Sequence, residues 1–380
     1  MIKNIISILL ILIIPIAASA CWSSNDLNDI GIILGMGIDK DKQDKFEVTV
    51  QTVNPSSSNG SEGASKNSSY ILHCAKGNSV FDAARNISKD ASRKNYWPHA
   101  KLVILTEELA KEDIKPYLDF FTRDSQRRKT AYFVISNSSI KNIMSSEKDY
   151  DNVPSNEIIK LIEESSINGY GVKSNIRDFI KESEDVSGVS FMNCFTQNCP
   201  QDKIDKKSNN TLSNVGIFYK YKLIDFLSLE ENRILNFIKN KIKNPVLTFE
   251  YEDKTFTLEV TKSKTKIKPK IEKGNYTIKS DTNIDFNIVE YSDNYNIENI
   301  NKNDLTKTVE NSLKSSIMQL FNKSKNIYKL DLFGFGNAFS YKYPNILNLS
   351  QDQWQKIFVE KVKFQPNVKA NINYTGIKIR

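Results

Sequence analysis

Hydrophobic and polar positions alternate with recognisable periods along most of the chain. Ile30 to Ile38 is an apolar run punctuated by glycine, and Phe46, Val48, Val50 and Val53 follow a polar connection. This pattern predicts a hairpin with one alternating strand. Ser79 with Asp82 three residues on predicts a helix start, and Val80, Ala84, Ile87 and Ala91 keep helical spacing after it. Lys101 to Leu105 and Ala131 to Ile135 read as short buried strands, with helical segments at Thr106 to Ala110 and Lys115 to Thr122 between them. Ile158, Ile159, Leu161 and Ile162, then Ile176, Phe179 and Ile180, mark two more helices. Strand and helix alternate, which predicts a mixed α/β unit.

The second half opens with strands. Val215 to Leu229 reads as a hairpin turning at Lys220 to Lys222, and Leu247 to Tyr251, Phe256 to Val260, Tyr276 to Ile278 and Ile284 to Val289 read as four more strands. Leu305, Val309, Leu313, Ile317, Leu320 and Phe321 then form one stripe at intervals of three and four, behind Asn303 and Asp304 as candidate caps. Val368, Ala370, Ile372 and Tyr374 alternate, and the phase slips at Thr375 and Gly376 as a β-bulge would allow. The expected fold class is α+β or mixed α/β in two to three sequential domains. The C-terminal part should be an antiparallel sheet packed against a long helix. The polar stretch 200–210 reads as a linker between an N-terminal region, 21–199, and a C-terminal domain, 211–380. A further subdivision is expected near residue 150.

Residues 1–20 have a different character. Lys3 precedes a nearly unbroken apolar run from Ile5 to Ala17, and small residues lead to Cys21. This is the layout of an export signal. Thirteen residues at about 1.5 Å each reach roughly 20 Å, short of the ~30 Å hydrocarbon core. Ala18, Ser19, Ala20 and Cys21 are similar to a bacterial lipobox, in which the cysteine is acylated, although Ala18 stands where leucine is usual. Two acyl chains anchor stably where one does not. The expectation is a domain set tethered at Cys21 to the outer face of a membrane.

Composition changes this picture little. The 380 residues are 39% hydrophobic and 26% charged, with a net charge of +8, which is globular and mildly basic. Four cysteines exclude a disulfide scaffold, although Cys194 and Cys199 form a candidate local disulfide. Gly35-Met36-Gly37 lacks the third glycine of a dinucleotide fingerprint. Asp39, Asp41 and Asp44 lack the glycine and glutamate of a calcium loop. His73 beside Cys74 has no second ligand at metal spacing. No nucleophile or phosphate-binding motif occurs. Metal and catalytic functions are therefore not expected.

One charge pattern is sharper. Lys262, Lys264, Lys266, Lys268 and Lys270 alternate with Thr, Ser, Ile and Pro, so an extended chain places all five ammonium groups on one face. One reading is protection of an edge strand. The other is docking on anionic headgroups, at ~1 kcal/mol per lysine. Arg123, Arg127 and Arg128, and the aromatics Phe333 to Phe335, are further candidates for partner contact.

Cys21-Trp22, Leu27-Asn28-Asp29-Ile30, Gly35 to Lys40, Gln51 to Pro55 and Glu107-Glu108-Leu109-Ala110 occur in order. Tyr117 to Phe120, Arg123-Asp124 with Arg127-Arg128, Gly216-Ile217-Phe218, Lys222-Leu223-Ile224 and Glu230-Glu231 follow, then Asp331-Leu332-Phe333-Gly334-Phe335-Gly336, Pro344, Trp354 and Gly376. This ordered set resembles the C-subunit lipoproteins of bacterial spore germinant receptors, the Ger(x)C family. The resemblance implies a lipoprotein of the spore inner membrane that assembles with integral A-type and B-type subunits to trigger germination. It implies no catalysis, no cofactor and no nucleic acid. The Cys194 and Cys199 pair has no family role. The alternative is a solute-binding lipoprotein of an import system, which needs two lobes closing on a polar cleft.

Overall fold

The computed structural model describes residues 29–55, 68–123, 128–146, 152–198, 209–251, 254–291 and 301–374. Among the described residues, thirteen strands form two sheets, and ten α-helices cover them.

The first sheet contains β1 (Ile30–Lys40), β2 (Phe46–Val53), β3 (Tyr70–Gly77), β4 (Lys94–Tyr96), β5 (Leu102–Thr106), β6 (Tyr132–Ser136), β7 (Val189–Asn198), β8 (Asn209–Tyr219) and β9 (Lys222–Leu227). Their order is β3-β2-β1-β5-β6-β7-β8-β9, with β4 beside β1. The central strands β1, β5, β6 and β7 run parallel, and antiparallel hairpins close both ends. Six helices attach to this sheet: α1 (Val80–Asn86), α2 (Glu107–Ala110), α3 (Lys115–Thr122), α4 (Ile140–Met144), α5 (Pro154–Ile167) and α6 (Ile176–Glu184). Helix α1 starts where the sequence places it, with the Ser79 side chain accepting from the Asp82 amide at 3.1 Å.

Strand β5 is buried along its whole length. Val103 and Leu105 enter one core, and Leu102 and Ile104 enter a second core on the opposite face. Parallel strands covered on both faces read as continuous apolar runs rather than alternating ones. The glycines of Gly35-Met36-Gly37 serve this cover. A Cβ on Gly35 would lie 2.1 Å from Ser155 Oγ of α5, and one on Gly37 would lie 2.0 Å from Ile140 Cγ2 of α4.

The second sheet follows α7 (Leu229–Ile238) and contains β10 (Val246–Tyr251), β11 (Lys254–Glu272), β12 (Asn275–Tyr291) and β13 (Val362–Tyr374) in that order. Helices α8 (Lys302–Lys323), α9 (Phe335–Lys342) and α10 (Gln351–Lys361) lie between β12 and β13. All six stripe residues of α8 are buried, and they share a core with Ile278, Ile284, Phe286 and Val362 of the sheet. The long helix packed on a sheet is as the sequence predicts. The last strand differs: β13 runs parallel to β12, because the three intervening helices carry the chain back to the starting end.

Two other expectations change. The segments 276–278 and 284–289 are parts of one strand, β12. Its inward centre is Ser280 and Thr282, so no apolar alternation marks it. Thr282 Oγ1 lies 2.9 Å from Thr265 Oγ1, which donates to the Phe237 carbonyl at 2.9 Å. Secondly, the hairpin expected in the C-terminal domain completes the first sheet, with β8 pairing from Asn198↔Asn209 to Val189↔Tyr219. Val215 and Ile217 enter the core of the second sheet, whereas Phe218 enters the first. The core therefore runs on from one sheet to the other. The expected β-bulge at Gly376 and residues 1–20 lie outside the described residues.

Candidate functional site

Strand β11 carries the lysine row. A register shift between Val260 and Lys262 makes Thr261 a bulge. Before it Phe256, Leu258 and Val260 point inward, and after it Thr265 and Pro269 do. The bulge thus turns all five lysines to solvent, and all five are exposed. Lys268 stands opposite Lys279, while Lys363 and Lys369 continue the same face through Thr277 and Asn283. Beyond the bulge the acids of that face are Glu272, Asp281 and Asp285, and before it the face carries Glu250, Glu259 and Glu290. Lys268 pairs with Asp281 at 2.6 Å and Lys270 with Glu272 at 2.5 Å. Among the described residues, no ion pair engages Lys262, Lys264 or Lys266.

The edge of β11 is closed by other groups. The Asn240 side chain accepts from the Thr265 amide at 2.6 Å and donates to its carbonyl at 2.9 Å. Pro269 has no amide hydrogen, and its carbonyl accepts from Lys342 Nζ at 3.0 Å. The Ile271 amide donates to the Tyr343 hydroxyl at 3.1 Å. Beside this edge, Tyr341 of α9 is 96% exposed.

Arg123 and Arg128 line different grooves. Arg123 ends α3, pairs with Asp119 at 2.8 Å and lines an apolar groove of about 510 Å³ with Phe46, Phe81 and Tyr117. Arg128 lines a separate polar groove of about 1250 Å³, which Glu182 and Lys241 cross as an ion pair at 2.9 Å. Phe333 and Phe335 are core residues, not a contact surface, and their rings stack at 5.1 Å. Cys194 is buried in β7, where burial pushes its thiol up to about 11. Its expected partner Cys199 lies outside the described residues, as do Cys21 and Arg127.

A seam between the two sheets was not visible in the sequence. Asp331 is fully buried, and its Oδ2 accepts from the Gly336 amide at 2.7 Å and from Trp354 Nε1 at 3.0 Å. Burial raises its carboxyl above the usual range, while those hydrogen bonds oppose the shift. Gln355 accepts from the Asp331 amide at 2.7 Å and donates to the Ser187 carbonyl at 2.5 Å. Gln351 donates to the carbonyls of Ser183 and Asp185 at 2.8 and 2.9 Å. Lys239 Nζ sits 4.1 Å above the Phe191 ring, and desolvation lowers its amine to about 8. The only outward signal for this seam is an aspartate inside the apolar run Leu330 to Phe333.

Among the described residues, no group of three His, Cys, Asp or Glu side chains is placed to hold a metal, and no helix is long and apolar enough to cross a membrane.

Comparison with known proteins agrees with this architecture. A family model described as spore germination protein N-terminal domain matches residues 23–196, and one described as spore germination B3/GerAC like, C-terminal, matches residues 213–376. Spore germination protein KC of Bacillus subtilis (strain 168) is 26% identical over 408 aligned residues, which cover 100% of this chain and 97% of that protein. Spore germination protein B3 of the same organism is 24% identical, with 91% of each chain covered. The crystal structure of the GerBC protein superimposes with a TM-score of 0.58 at 18% identity, over 89% of this chain and 96% of that one. The chain belongs to the spore germination B3/GerAC-like family, the Ger(x)C proteins.

Proposed function

We propose that the chain is the accessory C-type subunit of a spore nutrient germinant receptor. In this reading Cys21 carries the lipid, the folded part stands at the outer face of the spore inner membrane, and integral A-type and B-type subunits are its partners. The observation that carries the reading is the match of both family models, in order, to a chain whose full-length relatives are named spore germination proteins. The described residues add support of a second kind. At the seam, buried polar groups are spent on holding the two halves together, with Gln355 joining the Asp331 amide to the Ser187 carbonyl. A binding and assembly role without catalysis fits that use. The solute-binding alternative requires lobes that hinge, and the core continuous from Val172 to Val368 opposes it.

The test is purification of the tagged full chain from detergent-solubilised spore membranes after growth with labelled palmitate. The reading expects label on the chain, loss of label in Cys21→Ser, and copurification of two polytopic proteins. An unlabelled chain recovered alone from the aqueous fraction would overturn it.

A further inference from the structure

We propose that the open face of the four-stranded sheet is a docking surface for anionic phospholipid headgroups. The proposal rests on the membrane-proximal reading above for its setting and on the sheet for its chemistry. Beyond the Thr261 bulge, Lys262, Lys264, Lys266, Lys268, Lys270, Lys279, Lys363 and Lys369 share the face with Glu272, Asp281 and Asp285, while Glu250, Glu259 and Glu290 lie on the part before the bulge. Side chains alternate at about 6.6 Å along each strand and strands lie about 4.8 Å apart, so this is a closely spaced cationic ladder.

Edge protection does not account for it. The lysines stand on the face, whereas the edge is closed by Asn240, Pro269 with Lys342, and Tyr343. Nor do ion pairs consume the charge, since Lys262, Lys264 and Lys266 engage no carboxylate among the described residues. The composition of the face favours a lipid surface over an acidic protein. The outward residues between the lysines are polar, as at Thr277, Asn283, Gln365 and Asn367, and no exposed aromatic or aliphatic anchor stands among these described residues. That suits a uniform anionic surface better than a protein interface built on buried anchors. Docking would set which face of the body meets the membrane.

The experiment incorporates the full chain into vesicles of phosphatidylcholine, alone or mixed with phosphatidylglycerol, and follows acylation of individual lysine amines by mass spectrometry. Each lysine held at an anionic surface gains roughly fivefold in its bound population. Lys262 to Lys270 should therefore react about fivefold more slowly on the mixed vesicles. Raised salt should abolish the difference, because exposed pairs are screened. Lys42, exposed in the β1–β2 turn, should react equally on both. The combined variant Lys262→Gln, Lys264→Gln, Lys266→Gln should also lose the protection of Lys268 and Lys270. Equal reaction on both vesicle types, with the chain vesicle-bound, overturns docking but not the anchor. A chain that stays in solution on neutral vesicles yet is protected on anionic ones supports docking and counts against the anchor. Unchanged labelling of a chain left in solution by both vesicle types overturns both. Protection that appears only when acidic membrane proteins are added assigns the face to a protein partner and overturns the lipid proposal.

Discussion

In the first sheet, β5 sends Leu102 and Ile104 into one core and Val103 and Leu105 into another. In the second sheet, β12 sends Ile284 and Phe286 inward and leaves Asn283 and its neighbours Lys264 and Lys369 in water. The difference separates what each half can do. A sheet covered on both faces by α1 to α6 offers partners only its edges and grooves. A sheet covered on one face by α8 presents an open face whose residues are free of packing duty. Substitutions should therefore act on stability in the first sheet and on association at the open face of the second.

The largest effects break the comparison where both faces are buried. Ile104→Ala and Leu105→Ala should each cost about 2–5 kcal/mol in urea unfolding, although adjacent side chains point apart. On β12, Ile284→Ala should cost as much and Asn283→Ala within about 0.5 kcal/mol. Equal effects at Ile284 and Asn283 would mean that the second sheet is covered too.

The seam comes next. Asp331→Ala leaves the Trp354 indole and the Gly336 amide without their acceptor, at a cost of about 3 kcal/mol. Asp331→Asn should recover part of this. The raised carboxyl gives a pH signature: its contribution is full below the ordinary carboxylate range and is lost as pH rises through the folded value. Thermal unfolding across mildly acidic pH should show that slope in the wild type and lose it in Asp331→Asn.

Lys239 tests the same seam with the opposite sign. Its folded value of about 8 lies below the ordinary 10.5, so its contribution is present above 10.5 and lost as pH falls through 8. Lys239→Met should stabilise the protein at neutral pH by about 1–2 kcal/mol, a figure reduced for the solvent reaching its stem, and the gain should vanish at high pH. The smallest stability effect is expected on the open face. Lys264→Gln should shift unfolding by less than about 0.5 kcal/mol.

The sequence carried the parts of this molecule that alternate between apolar and polar. The α8 stripe, the β1–β2 hairpin and the Ser79 cap are local patterns, and each lies where its period predicts. The lysine row was legible for the same reason. What escaped has no period. Ser280 and Thr282 hid the unity of β12, since two inward-facing hydroxyl residues in place of apolar ones read as a turn, although Thr282 bonds Thr265 of the neighbouring strand. The parallel course of β13 depends on three helices returning the chain, which no local window contains. The seam joins Asp331 to Trp354 and Gln355, 23 and 24 residues on, and Gln355 to Ser187, 168 residues away. Tyr341 reads from sequence as one more aromatic, and only its 96% exposure distinguishes it.

The most direct test of the account is deletion of the chain's gene, with germination scored nutrient by nutrient and restored by a wild-type copy. The account predicts that spores form normally but lose their response to at least one nutrient. Deletion spores that answer every nutrient as the parent does would contradict it.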